Sequence, residues 1–242
     1  IYSIGGSQAI AYGAYVLKVN KIVGPGNDYV AKAKKIVFGD VGTEGMVAGP
    51  SEISVVADNK SNINHVITST LAQAEHDPRS QSIIITKDKN LVINFKNKIL
   101  AKVKHLPRKN IILKSLRTYG AIILARSDKQ IIDAINLISP EHLEILSKNY
   151  KKYLKKVNNA GSIGIGKYSP VAASDYSVGT NHTLGCFGTT KFASGLNLYD
   201  FNKKFSQFNL TKKGIEVIGK QAITLAKYEN LHAHVLSIKS RL

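Results

Sequence analysis

The sequence predicts an α/β protein built on a parallel sheet. Three observations lead there. Short apolar runs alternate with longer amphipathic segments, glycine- and asparagine-rich turns separate the two, and Ser82-Ile-Ile-Ile-Thr86 is apolar enough to be buried on both faces. In chain order, Ile1–Gly6 reads as the end of a strand entering a turn. Lys21–Val23 reads as a short strand closed by Gly24-Pro-Gly26, after which Asn27 can cap a helix over 28–37. Glu52–Ala57 is a strand. Ser61 or Asn62 can cap the next helix, whose Ile63, Val66, Ile67 and Leu71 recur at helical spacing. The alternation goes on through strand 82–86, a helix near 89–104, strand 121–125 and a helix near 128–138. In such sheets ligands bind in the loops at the carboxyl ends of the strands. Residues 158–195 then break the rhythm with glycine, serine, threonine and asparagine. A loop that long with Asp175 and His182 inside it points to function. From about 209 the tail returns to helix.

A chain of 242 residues, 43% apolar and 21% charged, has the composition of an ordinary globular protein with a sizeable core. No apolar run reaches the ~18 residues of a membrane span, and no export leader is visible. With one cysteine, Cys186, an internal disulfide is excluded, and a cytoplasmic location is expected. The chain opens at Ile1 and its one methionine is Met46, so a fragment is expected. The formal charge of +18 raises a nucleic-acid reading. The lysines are scattered over helical segments such as 32–35 and 151–156, without an aromatic-studded stripe. A solvated helix face explains them more simply.

Of seven histidines, His65 and His105 read as surface residues. Gln73 and His76 stand at i, i+3 on one helix face, where an amide oxygen and an imidazole can converge. The same spacing also suits a helix-end histidine serving the dipole. Glu141 and His142 follow Pro140 and offer two proton-transfer groups side by side. His232 and His234 share a face only if extended. Gln73, His76, Asp175 and His234 together supply mixed nitrogen and oxygen donors, suited to Zn²⁺ or a similar ion. No Gly-x-Gly-x-x-Gly is present. Gly24-Pro-Gly26 comes nearest and reads as a strand-to-helix turn.

Several motifs in fixed order resemble the histidinol dehydrogenases. They are Gly5–Ile10, Gly24–Asn27, Ala48-Gly-Pro-Ser-Glu52, Ala72-Gln-Ala-Glu-His76, Ile138–Leu143, Asn159–Ile163, Asp175-Tyr176, Gly179–His182 and the ending around Glu229 and His234. The chain departs from the family at Leu184-Gly-Cys186, where Leu-Pro-Thr is usual. The resemblance implies two Rossmann-like domains, incomplete here. A partial NAD-side domain takes 1–52, a main domain with most zinc and catalytic residues takes 53–195, and a dimerisation tail takes 196–242. It implies NAD-dependent, two-step oxidation of L-histidinol to L-histidine through a bound aldehyde. Zn²⁺, or Mn²⁺, would be held by Gln73, His76, Asp175 and His234. Glu141 and His142 would be catalytic. Substrate would touch Ser51, His182 and Glu229 as well as Glu141 and the metal ligands, and NAD would touch Gln8 and Asn27. His234 and Glu229 would cross a homodimer interface. The competing expectations are a non-catalytic basic protein that binds nucleic acid, and an inactive truncated remnant.

Overall fold

Glu52–Ala57, buried at every position, forms β3, the central strand of a five-stranded sheet. The computed structural model describes residues 1–44 and 49–242, so Met46 and Ala48 of the sequence reading lie outside the described residues. Before the sheet come α1 (Gly6–Ala11), a π-helical turn over Tyr12–Val16, β1 (Lys21–Ile22), α2 (Asp28–Val37) and β2 (Gly42–Thr43). β1 and β2 pair in parallel, and Ile10, Ala14, Val37 and Val41 close a small core there. The expected strand at Ile1–Gly6 is not formed: residues 1–5 are irregular and Gly6 begins α1.

The main sheet continues with α3 (Ile63–Ala74), β4 (Gln81–Thr86), α4 (Lys89–Val103), α5 (Lys109–Tyr119), β5 (Gly120–Leu124), α6 (Asp128–Ile138), β6 (His142–Ile145), α7 (Tyr150–Leu154), β7 (Ser162–Ile165) and α8 (Val171–Ser174). Its order is β5-β4-β3-β6-β7, and every pairing is parallel. The capping residues do as their chemistry predicts. Asn27, Asn62, Asp88 and Ser127 each accept a first-turn N–H of the helix that follows. Helices α3, α4 and α5 pack on one face around Val55, Ile67 and Ile112. Helices α6 and α7 cover the other around Val56, Ile135 and Tyr153. An all-parallel sheet needs this cover on both faces.

The chain divides into two compact units, Ile1–Phe201 and Asn202–Leu242. The second holds α9 (Lys212–Tyr228) and α10 (His232–Lys239). Because residues 232–239 are helical, His232 and His234 do not share a face. The region 158–195 is less irregular than its composition predicts, since β7 and α8 lie within it. Among the described residues, no helix is long and apolar enough to cross a membrane.

Candidate active site

The candidate residues gather at the amino ends of β3 and β6, rather than at the carboxyl ends. The register pairs Ile53 with His142, which brings Glu52 and Glu141 side by side at the rim of the sheet. Glu141 reaches that place through a turn of defined shape. α6 stops at Ser139, whose left-handed backbone (φ 51°) lets its N–H reach the Ile135 carbonyl at 2.8 Å. Pro140, which has no N–H to continue the helix, then leads into β6. Gly161 presses against the far side, and a Cβ there would stand 2.6 Å from the Glu141 carbonyl oxygen. Only glycine fits so close an approach.

Both carboxyls are buried, Glu52 at 8% and Glu141 at 5% exposure. Glu141 Oε2 accepts the Glu52 N–H at 2.8 Å, and Glu52 Oε1 accepts the Phe187 N–H at 3.1 Å. Burial pushes the Glu141 carboxyl up to about 8; the nearby charges of Glu52 and Asp175 add to the rise, while hydrogen bonds from the Glu52 N–H and Cys186 oppose it. Burial also pushes His142 down to about 4. The Asp175 charge resists that fall, and His76 and His182 add to it. The usual order is therefore inverted: at neutrality the carboxyl keeps its proton and the imidazole does not. His142 Nε2 faces Glu141 Oε1 at 3.9 Å and Asp175 Oδ1 at 4.0 Å, while its buried Nδ1 has no partner among the described residues. An inverted acid–base pair in a cleft marks a candidate functional site.

The cleft has a volume of about 350 Å³. Ser51, Gln73, His76, Glu141, His142, Asp175 and His182 all line it. α3 runs back against β3, so its carboxyl end delivers Gln73 to the strands' amino ends. His76 follows one turn on, its N–H bonded to the Gln73 carbonyl at 3.2 Å and its own carbonyl accepting from Arg108 at 3.3 Å. Asp175 caps the carboxyl end of α8. Cys186 also lines the cleft, where the sequence placed it in a glycine-rich loop. It is 2% exposed, and burial followed by the Glu141 charge pushes its thiol far above the usual range. The thiolate, which would be the nucleophile, is thereby suppressed.

Of the expected NAD contacts, Asn27 and Gln8, neither lines the cleft. Asn27 caps α2 through its side-chain oxygen, which leaves its NH₂ to donate, and the adjacent Pro25 and Gly26 border the cleft. Gln8 is exposed on α1. Glu229, at the end of α9, and His234, on α10, are both exposed in the second unit. The sequence reading missed Glu52 as a site residue. The signal was a carboxylate opening an apolar strand.

The donors within the cleft suit a borderline metal ion: an amide oxygen, an imidazole and a carboxylate. Among the described residues, however, no three His, Cys, Asp or Glu side chains are close enough to hold an ion together. Gln73, His76 and Asp175 line the same cleft and contribute one amide, one imidazole and one carboxylate to it.

The family model of histidinol dehydrogenase matches residues 1–242. The chain belongs to the histidinol dehydrogenase family. It is similar to the histidinol dehydrogenases of Pelagibacter ubique, at 49% identity, and Clostridium acetobutylicum, at 44%. All of this chain aligns in each case, to 58% and 57% of the relative's length. It also superposes on a crystal structure of histidinol dehydrogenase from Elizabethkingia anophelis with a TM-score of 0.92 and 38% identity, covering 100% of this chain and 56% of that one. The chain thus spans little more than half the length of these histidinol dehydrogenases. A gamma-glutamyl phosphate reductase from Thermotoga maritima, at 12% identity and a TM-score of 0.52, shares the fold alone.

Proposed function

We propose that the chain carries the catalytic part of an oxidoreductase that converts L-histidinol to L-histidine through bound histidinaldehyde, closing histidine biosynthesis in the cytoplasm. The observation that carries this reading is the buried, inverted Glu141–His142 pair in one cleft with Gln73, His76 and Asp175, in a chain of this family.

Each oxidation removes a hydride and a proton from the substrate. His142, neutral at working pH, accepts the proton of the alcohol from within the cleft. Glu141, once ionised, takes a proton from the water that adds to the aldehyde, and the resulting diol is the second substrate for oxidation. A buried carboxyl at about 8 is ionised in a useful fraction at mildly alkaline pH. Cys186 takes no covalent part, because its thiol stays protonated. Ser51 and His182 contact the substrate from the cleft wall.

Gln73, His76 and Asp175 would hold Zn²⁺, or Mn²⁺, with His234 of a second subunit as fourth donor and Glu229 of that subunit on the substrate. Zn²⁺, when bound, supplies a positive charge that fixes the substrate's amine and imidazole. Gln8 and Asn27 would contact NAD, beside the Gly24-Pro25-Gly26 turn, and NAD⁺ supplies the hydride acceptor for both steps. The domains follow the same reading, with an NAD-side part over 1–52, the main domain over 53–195 and a dimerisation tail over 196–242.

The test is NADH formation from L-histidinol by the purified full-length enzyme, followed by absorbance. Turnover abolished by a chelator and restored by Zn²⁺ or Mn²⁺ is expected. Salt-sensitive DNA binding with no turnover under any metal would overturn the reading.

A further inference from the structure

Glu144 stands in the middle of β6, 1% exposed, with both oxygens occupied. A carboxylate inside a sheet is costly to bury, so the groups that compensate it carry information. Oε1 accepts the Ser69 hydroxyl at 2.8 Å, and Oε2 accepts the Val171 N–H at 3.2 Å. Ser69 is on α3, one turn before Gln73 and on the same face. Val171 opens α8, and Asp175 closes it. One buried side chain is therefore bonded to both elements that deliver donors to the cleft.

Apart from these bonds, α8 meets α3 through Val171, which is buried in one apolar cluster with Val66, Ile67 and Leu71. α8 has four residues and no side-chain cap at its amino end. The Val171 N–H is one of the donors a helix leaves unsatisfied, and Glu144 satisfies it. Between α3 and α8 lies a second cavity of about 170 Å³, lined by Ser69, Gln73, His76, Val171 and Asp175 among others. Packing between the two elements is incomplete on that side, and the Glu144 bonds bridge them there.

We propose that Glu144 is a positioning residue: by tying α3 to α8 beneath Gln73 and Asp175, it sets the separation of these two donors and so the affinity of the cleft for a divalent ion. This inference rests on the ion-site reading given under Proposed function. A purely structural role would lower stability and leave the ion's affinity alone.

The experiment measures Zn²⁺ affinity of the full-length enzyme by competition with a chelating indicator, together with thermal unfolding. Glu144→Gln keeps both contacts, its carbonyl accepting from Val171 and its NH₂ donating to the Ser69 hydroxyl. Its affinity is expected within about threefold of wild type, whereas folded Glu144→Leu is expected to lose about ten- to hundredfold. Ser69→Ala removes one of the two ties and is expected to lose a smaller factor, of about threefold or more. If the leucine variant does not fold, Ser69→Ala decides. Wild-type affinity in a folded Glu144→Leu, or in Ser69→Ala when that variant decides, overturns the inference, provided that His76→Ala has lost Zn²⁺. Wild-type affinity in His76→Ala as well removes the ion site itself, and the inference falls with it.

Discussion

The two ends of the main sheet treat their titratable groups in opposite ways. At the carboxyl end, Asp58 follows β3 and accepts N–H groups from Lys60 at 2.9 Å and Lys148 at 3.2 Å, with hydroxyls of Ser61 and Ser147 at 3.3 and 2.6 Å. Burial works to raise its pKa, but these bonds outweigh it and hold the carboxylate below its usual range. Nearby, Lys87 pairs with Asp128, and Asp88 caps α4. At the amino end, Glu141 is pushed up, His142 is pushed down, and His142 Nδ1 lacks a partner among the described residues. Ligands of open α/β sheets ordinarily sit at the carboxyl end, where the connections from two adjacent parallel strands lead off to opposite sides. Here Asp58 fills that place, between β3 and β6. The carboxyl end holds a carboxylate satisfied by hydrogen bonds, and the amino end holds buried groups whose proton affinities are displaced from their usual values.

The largest expected effect comes from exchanging the two carboxylates for amides. In the full-length enzyme, Glu141→Gln should lower kcat for histidinol oxidation by about 10²–10⁴ and leave the fold intact. Asp58→Asn should do the reverse, costing about 2 kcal/mol of unfolding free energy in denaturant titrations with kcat unchanged. A dead but fully stable Asp58→Asn enzyme would break the comparison. Next in size is Gly161→Ala. Its Cβ meets the Glu141 carbonyl and should displace the acid, lowering kcat/KM about ten- to hundredfold in steady-state assays.

The pH dependence of stability sharpens the contrast. Glu141 has a folded pKa of about 8, above its ordinary 4.5, so its contribution is present below about 4.5 and lost as pH rises toward 8. Asp58 has a folded pKa below its ordinary 3.8, so its contribution is present above that value and lost as pH falls through the folded pKa. Unfolding of metal-free protein across pH should show both flanks. Glu141→Gln should flatten the alkaline flank alone, and Asp58→Asn the acid flank alone. The smallest effect belongs to Cys186→Ala, which should leave kcat within about threefold and cost about 1 kcal/mol of stability. A hundredfold loss of kcat would restore the thiol as a nucleophile.

Local pattern made much of the scaffold legible. Asn27 and Asn62 cap the helices expected of them, and the run at 82–86 is a buried parallel strand. β6 and β7 were hidden for a physical reason: Glu144 and Gly164 interrupt the apolar pattern, and each is explained by what it touches in three dimensions. α5 escaped notice because its exposed face, rich in lysine and arginine, hides a narrow apolar stripe centred on Ile112. The site residues Gln73, His76, Glu141, His142 and Asp175 were readable as motifs. Their meeting at the amino ends was not, because it depends on the register of β3 against β6 and on the return direction of α3. The same limit concealed Glu52, whose partners Glu141 and Phe187 are remote in sequence.

The most direct measurement is an anomalous-scattering map at the zinc edge from crystals of the full-length enzyme grown with Zn²⁺ and L-histidinol. A peak bounded by Gln73, His76 and Asp175, with substrate beside His142, is the expected result. A peak at the other end of the sheet, near Asp58 and Asp88, with the Glu141–His142 cleft holding neither ion nor substrate, would contradict it.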